Sequence, residues 1–424
     1  MEISKPETAF VVISFVLICI GTFLGGWAIS TGHIALLLSF GLMLFRRWKL
    51  PESNRGKVTV SIGLVRGSMW FLMVICALDI LTIVLFYDHY PHPLKDLKKI
   101  RYLLIPLGFL VFTYSRDLGR QYLSKFGVLG LWLIGGAVIL ATASGFIGYY
   151  TGYNPLRFGA ETANFDRLSG IHGMVMTYAY SLQFVVLLFL GVLFLGWRKL
   201  NIYLLVFVAV TIGVGVLGLY FSMTRGAVLG LIIGCVALVF AAKAWKLIGV
   251  GVVALLLALL IAKETRFVVP QSVSDSARLS QWRASAIIFL DNPLFGVGYR
   301  QLEKNMISFK ESYDLPLDGY RYDSGDFIDG PRLGGHAHNN FLEAFASTGV
   351  FGGLAFVGFS VSWLCEVWRR RRTRLLFFPV VVAFVVSGCF QCTFIDGEVL
   401  TMLMLLYVAS QIALDRESSP LSTV

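Results

Sequence analysis

Apolar runs long enough to cross a lipid bilayer recur from one end of this chain to the other, and they leave little choice of fold. The bilayer interior holds no water. A crossing segment must therefore satisfy its own backbone polar groups, which an α-helix of about 20 residues does. Of the 424 residues, 57% are hydrophobic and 14% charged, and the mean hydropathy is +0.74. A soluble domain carries about 25% charged residues, so a set of soluble domains is excluded. Twelve spans are expected, centred on 10–29, 32–45, 66–87, 102–115, 126–148, 171–197, 202–222, 226–242, 247–263, 340–366, 375–394 and 398–414. The expected fold is an all-α polytopic membrane protein with about 12 transmembrane helices and one long external loop containing helices. Residues 1–263 hold spans one to nine, 264–339 form the loop domain, and 340–424 hold spans ten to twelve and a tail.

The net charge is +11, and its distribution speaks for topology rather than nucleic acid. With the amino terminus inside, the short links hold nineteen basic residues on the cytoplasmic side and seven outside. Positive charge favours the cytoplasmic side, so both termini are expected there. The run Arg369–Arg372 is then a topology signal. The outside seven are Lys95, Lys98, Lys99, Arg101, Arg157, Arg167 and Arg225. The long link from Lys263 to Asn340 adds nine basic residues. Long loops escape the charge rule, so those nine need another explanation.

The six cysteines, at 19, 76, 235, 365, 389 and 392, all fall in apolar segments. Cys389 and Cys392 form a C-x-x-C, expected on a helix as two small residues of one face; zinc or redox chemistry would need a polar setting and further ligands. The first apolar run reads as a spanning helix rather than a cleaved signal peptide. Gly213, Gly215 and Gly218 in "IGVGVLG" are expected to serve close helix packing. Inside the long loop, "SDSARLSQWRASAIIFLDNP" predicts a helix along the membrane face. Ser274 or Asp275 would cap it, Leu279, Trp282, Ala286 and Phe289 would recur on it, and Asn292-Pro293 would end it. The acidic stretch "LDGYRYDSGDFIDG" lacks calcium-loop spacing and reads as a solvated loop.

This topology gathers scattered polar residues on the outer face: Arg225, Arg266, Arg278, Arg283, His336, His338 and Asp396. Arg225, in "SMTRGAVLG", follows a very short connection at the membrane boundary. An arginine there either snorkels or binds an anion. Several arginines on one face point toward a phosphate, which the guanidinium fork grips through paired hydrogen bonds. His338 stands just before "NNFLEAF", whose helix Asn339 or Asn340 can cap; Asn340 and Glu343 have capping-box spacing. A helix N-terminus and nearby arginines disfavour imidazolium. His338 then reads either as a neutral general base or as a histidine satisfied within its loop. No further ligand set supports a metal.

In order along the chain, "SMTRGAVLG", "RLSQWRASAIIFLDNPLFGVG" and "HNNFLEAFASTGVFGG" resemble motifs of the O-antigen ligase and O-antigen polymerase superfamily. The third resembles the ligase signature in particular: His338, Asn339, nine residues, Gly349 and Gly352. By motif the resemblance covers the second half of the chain. It implies an inverting, metal-independent glycosyltransferase that moves O-antigen polysaccharide from undecaprenyl diphosphate to a hydroxyl of lipid A–core oligosaccharide. The reaction would take place on the periplasmic face of a bacterial inner membrane, with no cofactor, in lipopolysaccharide biosynthesis. The catalytic histidine of the family maps to His338, and its functional arginines map to Arg225 and Arg278. Arg266 as a further diphosphate ligand and Asp396 as a supporting residue are placed by topology alone, and Asn339 supports His338 from within the signature. A covalent glycosyl intermediate would need a carboxylate nucleophile, for which Glu343 and Asp396 are remote candidates. The alternatives are an O-antigen polymerase, a protein O-oligosaccharyltransferase, and, in another class, a lipid or polysaccharide transporter. A transporter would place charges near mid-bilayer on broken helices.

Overall fold

The computed structural model describes residues 6–49, 66–89, 93–114, 119–157, 167–244, 272–312 and 335–418. The expected span at 247–263, Arg266 and the acidic stretch of the long loop lie outside the described residues. Among the described residues the fold is all-α, as expected. The helices are α1 (Pro6–Leu24), α2 (Gly26–Lys49), α3 (Gly67–Leu85), α4 (Pro93–Leu97), α5 (Arg101–Tyr114), α6 (Gly119–Thr151) and α7 (Val175–Gly196). They continue with α8 (Ile202–Ser222), α9 (Arg225–Ala242), α10 (Ser272–Asp291), α11 (Gln301–Ser312), α12 (Asn340–Trp368), α13 (Arg371–Gly388) and α14 (Gly397–Ser418). Seven of the described helices are long and apolar enough to cross a membrane: α3, α6, α7, α8, α9, α12 and α14.

α7 forms the centre. Tyr178, Leu182, Phe184, Leu187 and Phe189 are fully enclosed, and α8, α9, α13 and α14 pack around it. Lipid is as apolar as leucine, so close approach and polar contacts must hold spans together. Gly215 and Gly218 supply that approach: a Cβ at Gly215 would come within 2.5 Å of Val186, and one at Gly218 would overlap the Tyr178 hydroxyl. Gly213 meets nothing within 4 Å and takes no part. At the far end of α3 and α12 from His338, Glu366 serves as polar glue. It accepts from Ser68 N at 2.9 Å, Ser68 Oγ at 2.5 Å and Gln411 Nε2 at 3.0 Å, and Arg66 donates to Gln411 Oε1 at 2.7 Å.

Three expected boundaries move. The first apolar run was expected to continue to 29, but the chain turns at Gly25, whose φ of 133° only glycine adopts readily. α1 and α2 become a tight hairpin. The span expected at 375–394 stops at Gly388, and Cys389–Asp396 form a turn. Cys389 and Cys392 are therefore not on a helix: Cys389 Sγ donates to Val385 O, while Cys392 Sγ lies 3.7 Å from Glu343 Oε2. α10 begins at Ser272, which puts Ser274 and Asp275 inside its first turn rather than at its cap. Its buried face is Gln281, Ala284, Ser285 and Ile288. Leu279 is 62% exposed, because the small Ala284, with Ile288, fits the surface made by Leu302, Met306 and Ala346.

α12 is broken at Gly349, where φ is 69° and ψ is −164°. The segment after α10 docks into the break. Val297 N donates to Ala346 O at 3.0 Å, Gly298 N to Ser347 O at 2.8 Å, and Val350 N to Pro293 O at 2.8 Å. A Cβ at Gly349 would overlap the Leu294 carbonyl, and one at Gly352 would overlap the Thr348 hydroxyl. Gly349 thus lets the segment after α10 seat on α12, the helix that follows His338, while Gly352 makes room for Thr348 of its own helix. Val350–Trp368 remains as a span of about 28 Å at 1.5 Å per residue, enough to cross the hydrocarbon core. Gly349→Ala is expected to cost about 1–3 kcal/mol for the backbone alone, with a further loss from displacing Leu294. Thermal unfolding of the purified protein in detergent measures it; an unchanged midpoint would mean that the loop does not seat there.

Candidate active site

The described residues place His338 in a short link, Gly335–Asn339, ahead of α12. Its φ is 48°, a left-handed conformation that few non-glycine residues adopt. Asn339 caps α12: its Oδ1 accepts from Phe341 N at 2.9 Å and Leu342 N at 3.1 Å, and its Nδ2 donates to Cys389 O at 3.1 Å. Asn340 does not cap. Its Nδ2 donates to Thr393 Oγ1 at 2.8 Å, and its Oδ1 accepts from Phe394 N at 3.0 Å. Glu343 reaches back past the cap to Ala337 N at 2.8 Å and also accepts from Ser347 Oγ at 3.2 Å, so the expected capping box is replaced by a longer clasp. A buried carboxylate held this way fixes the residue before His338.

Gln391 completes the site. Its Oε1 lies 2.5 Å from His338 Nδ1. A carbonyl oxygen can only accept, so Nδ1 carries the proton and Nε2 holds the lone pair. Burial lowers the His338 pKa to about 4, the charges of His336 and Arg278 add to that, and the Gln391 hydrogen bond opposes it. The imidazole is neutral at physiological pH, as the sequence predicts, but burial rather than the helix terminus is the main cause. The His336 ring stands 6.3 Å from the His338 ring.

Arg278, near the start of α10, acts electrostatically on both His338 and Tyr180. Arg167 also acts on Tyr180. It donates to Ser222 O at 2.9 Å and Thr224 Oγ1 at 3.1 Å, bracing the turn ahead of α9. Arg225 is the first residue of α9, and a Cβ on the next residue, Gly226, would overlap the Tyr180 hydroxyl. Arg278, Arg167 and the start of α9 thus converge on Tyr180, while Phe390, one residue before Gln391, lies beside Gly226. Asp396 closes the turn that holds Gln391. It opens α14, accepting from Glu398 N at 3.2 Å and Val399 N at 3.4 Å, and takes the Thr177 hydroxyl at 2.5 Å. Arg283 is exposed on α10. Among the described residues no group of three or more His, Cys, Asp or Glu could hold a metal ion.

Sequence reasoning missed Gln391 and Tyr180, and took Arg167 only as a topology charge. Gln391 was placed inside a span; the signal against that was the run Gly388, Gln391, Thr393 and Asp396, too polar to finish a membrane helix. Tyr180 carries no such signal, because a tyrosine inside an apolar helix looks like core.

The described residues thus combine helices long and apolar enough to cross a membrane with a neutral histidine that feels the charge of an arginine. Residues 210–357, about a third of the chain, match the profile of the family described as O-antigen ligase, which supports membership of the O-antigen ligase/polymerase superfamily. With the apolar helices, that match suggests a bacterial membrane protein and a glycosyltransferase-type enzyme of the ligase or polymerase kind. No match was found among curated proteins.

Proposed function

We propose that this protein is an O-antigen ligase: it moves O-antigen polysaccharide from undecaprenyl diphosphate to a hydroxyl of lipid A–core oligosaccharide, at the periplasmic face of the inner membrane. The topology proposed with it has twelve spans and both termini in the cytoplasm. The observation that carries the reading is His338 itself, whose Nδ1 is held by Gln391 and whose lone pair is thereby left on Nε2, within the electrostatic reach of Arg278.

The donor already carries a good leaving group, so the protein has two tasks. His338 Nε2 takes the proton of the acceptor hydroxyl as that oxygen attacks the anomeric carbon. The bond from that carbon to the diphosphate breaks, and its electron pair departs on the diphosphate oxygen. Arg278 and Arg225 stabilise the charge that develops there, with Arg266 proposed as a third ligand. Direct displacement inverts the carbon. Glu343 is bonded away from the site and Asp396 holds the start of α14, so neither supports a covalent intermediate.

The free enzyme is expected to keep full kcat/KM from pH 8 down to about pH 5, then lose it as His338 protonates near its pKa of about 4. The sign follows from the base: only the neutral ring accepts a proton. Bound diphosphate adds negative charge and favours imidazolium, so the acid limb of kcat should lie higher than that of kcat/KM. Initial rates from pH 4 to 8 check both limbs. The lipopolysaccharide of a deletion strain separates ligase from polymerase. Ligase loss leaves lipid A–core bare while lipid-linked polymer accumulates; cores bearing a single repeat would instead identify a polymerase.

A further inference from the structure

A second cluster of charge lies on the His338 face and takes no part in the site above. It forms where the α4–α5 junction, the turn between α1 and α2, and the start of α14 meet. The segment Pro93–Arg101, "PLKDLKKIR", holds Lys95, Lys98, Lys99 and Arg101 against one carboxylate, Asp96. Asp96 is buried and turned to Arg300, whose Nε lies 3.9 Å from its Oδ1. It cannot offset the four cations. Glu398, which the charge of Lys99 reaches, is already engaged by His172, whose Nδ1 lies 2.7 Å from Glu398 Oε2.

Arg101 and Lys99 are built in rather than loosely displayed. Arg101 uses Nη2 to reach Ser30 Oγ at 3.2 Å and the Tyr102 hydroxyl at 3.3 Å, and its guanidinium lies 5.0 Å from the Tyr102 ring centre. Lys99 Nζ stands 5.9 Å from the same ring, and its charge reaches Glu398. Lys98 is exposed beside them. His172 is 4% exposed, and its Nε2 has no hydrogen-bond partner. In the proposed topology these cations face outward, where positive charge on a short link opposes the insertion bias. Charge kept against that bias calls for a ligand. The turn 389–398 joins the two clusters: Gln391 meets His338, and Glu398 meets His172.

We propose that Lys98, Lys99 and Arg101 bind a phosphate monoester carried by a membrane-anchored glycolipid, the acceptor, at a site separate from the Arg278 and Arg167 cluster. The inference rests on the reading above, in which two lipid-anchored substrates meet on this face. Arginine and lysine both suit a phosphate, the first through its fork and the second as a point charge. A site beside α5 would hold the acceptor's anchor while its sugar reaches toward His338.

The test uses the purified full chain in detergent and two acceptors, a phosphate-bearing disaccharide glycolipid and the same lipid treated with phosphatase. Wild type should bind the phosphorylated lipid about tenfold more tightly, the size of one or two charge-assisted contacts. Lys98→Gln/Lys99→Gln should remove that preference and raise KM for the phosphorylated acceptor while kcat stays unchanged; Arg101→Lys should restore less than the wild-type preference. Equal binding of both lipids by wild type, or an equal loss against both in the double variant, overturns the site. Inorganic phosphate is the third arm. If it displaces the phosphorylated lipid as well as that lipid displaces itself, the site serves free phosphate and the lipid assignment is wrong. Because binding is read directly, a phosphate preference without any glycosyl transfer would sink the ligase reading and leave the site standing.

Discussion

His338→Ala is expected to abolish transfer, with a loss of at least about a hundredfold if base catalysis is the main role. The ring is held by Gln391 and feels the charge of Arg278, so its removal takes away the lone pair placed there. The variant should still insert and fold, because the link at 335–339 is held by Asn339 and Glu343 rather than by the imidazole. His336→Ala should be milder, since the His336 ring lies outside the signature and 6.3 Å from His338. Activity of the native enzyme should survive a chelator. Turnover by purified protein, with lipid-linked polysaccharide and lipid A–core, decides. Near wild-type turnover in His338→Ala would turn the residue into a loop-holding histidine.

Arg278→Ala should lose most ligation as well, on the order of 2–4 kcal/mol in the barrier, as for other removed stabilisers of developing charge. Arg225→Ala should behave alike. Lysine at either place should rescue in part, because an ammonium keeps the charge and loses the fork. The two arginines differ in their settings. Arg278 bears directly on His338 and Tyr180, while Arg225 is tied to the centre through its position at the start of α9 and the contact of Gly226 with Tyr180. Full activity in Arg225→Ala, with insertion intact, would leave that arginine a snorkelling role.

The helices were legible because bilayer crossing writes itself in length and apolarity: α8 runs from Ile202 to Ser222, the residues expected. What the pattern does not mark is where an apolar run bends. Gly25, in a Gly-Gly pair, and Gly349, alone, lie inside greasy sequence, and their positive φ shows that the chain turns there. The proposed site was read from its signature, which named His338, Asn339 and Gly349, and from the two arginines. Gln391 was not, since it lies fifty-three positions away and meets His338 only in space. Asp396 was chosen because it shares the outer turn; its two oxygens are used by Thr177 and by the first turn of α14, a role that sequence spacing alone cannot tell from catalysis.

Direct displacement by an acceptor hydroxyl activated at His338 is the central claim, and the configuration of the new glycosidic bond tests it most directly. Purified protein is given a lipid-diphosphate donor of known anomeric configuration, and the linkage formed on lipid A–core is read by proton–carbon coupling in the isolated product. An inverted linkage is the result expected, with one attack and one departure at the carbon. A retained linkage would require two displacements through a carboxylate nucleophile, and would contradict the account.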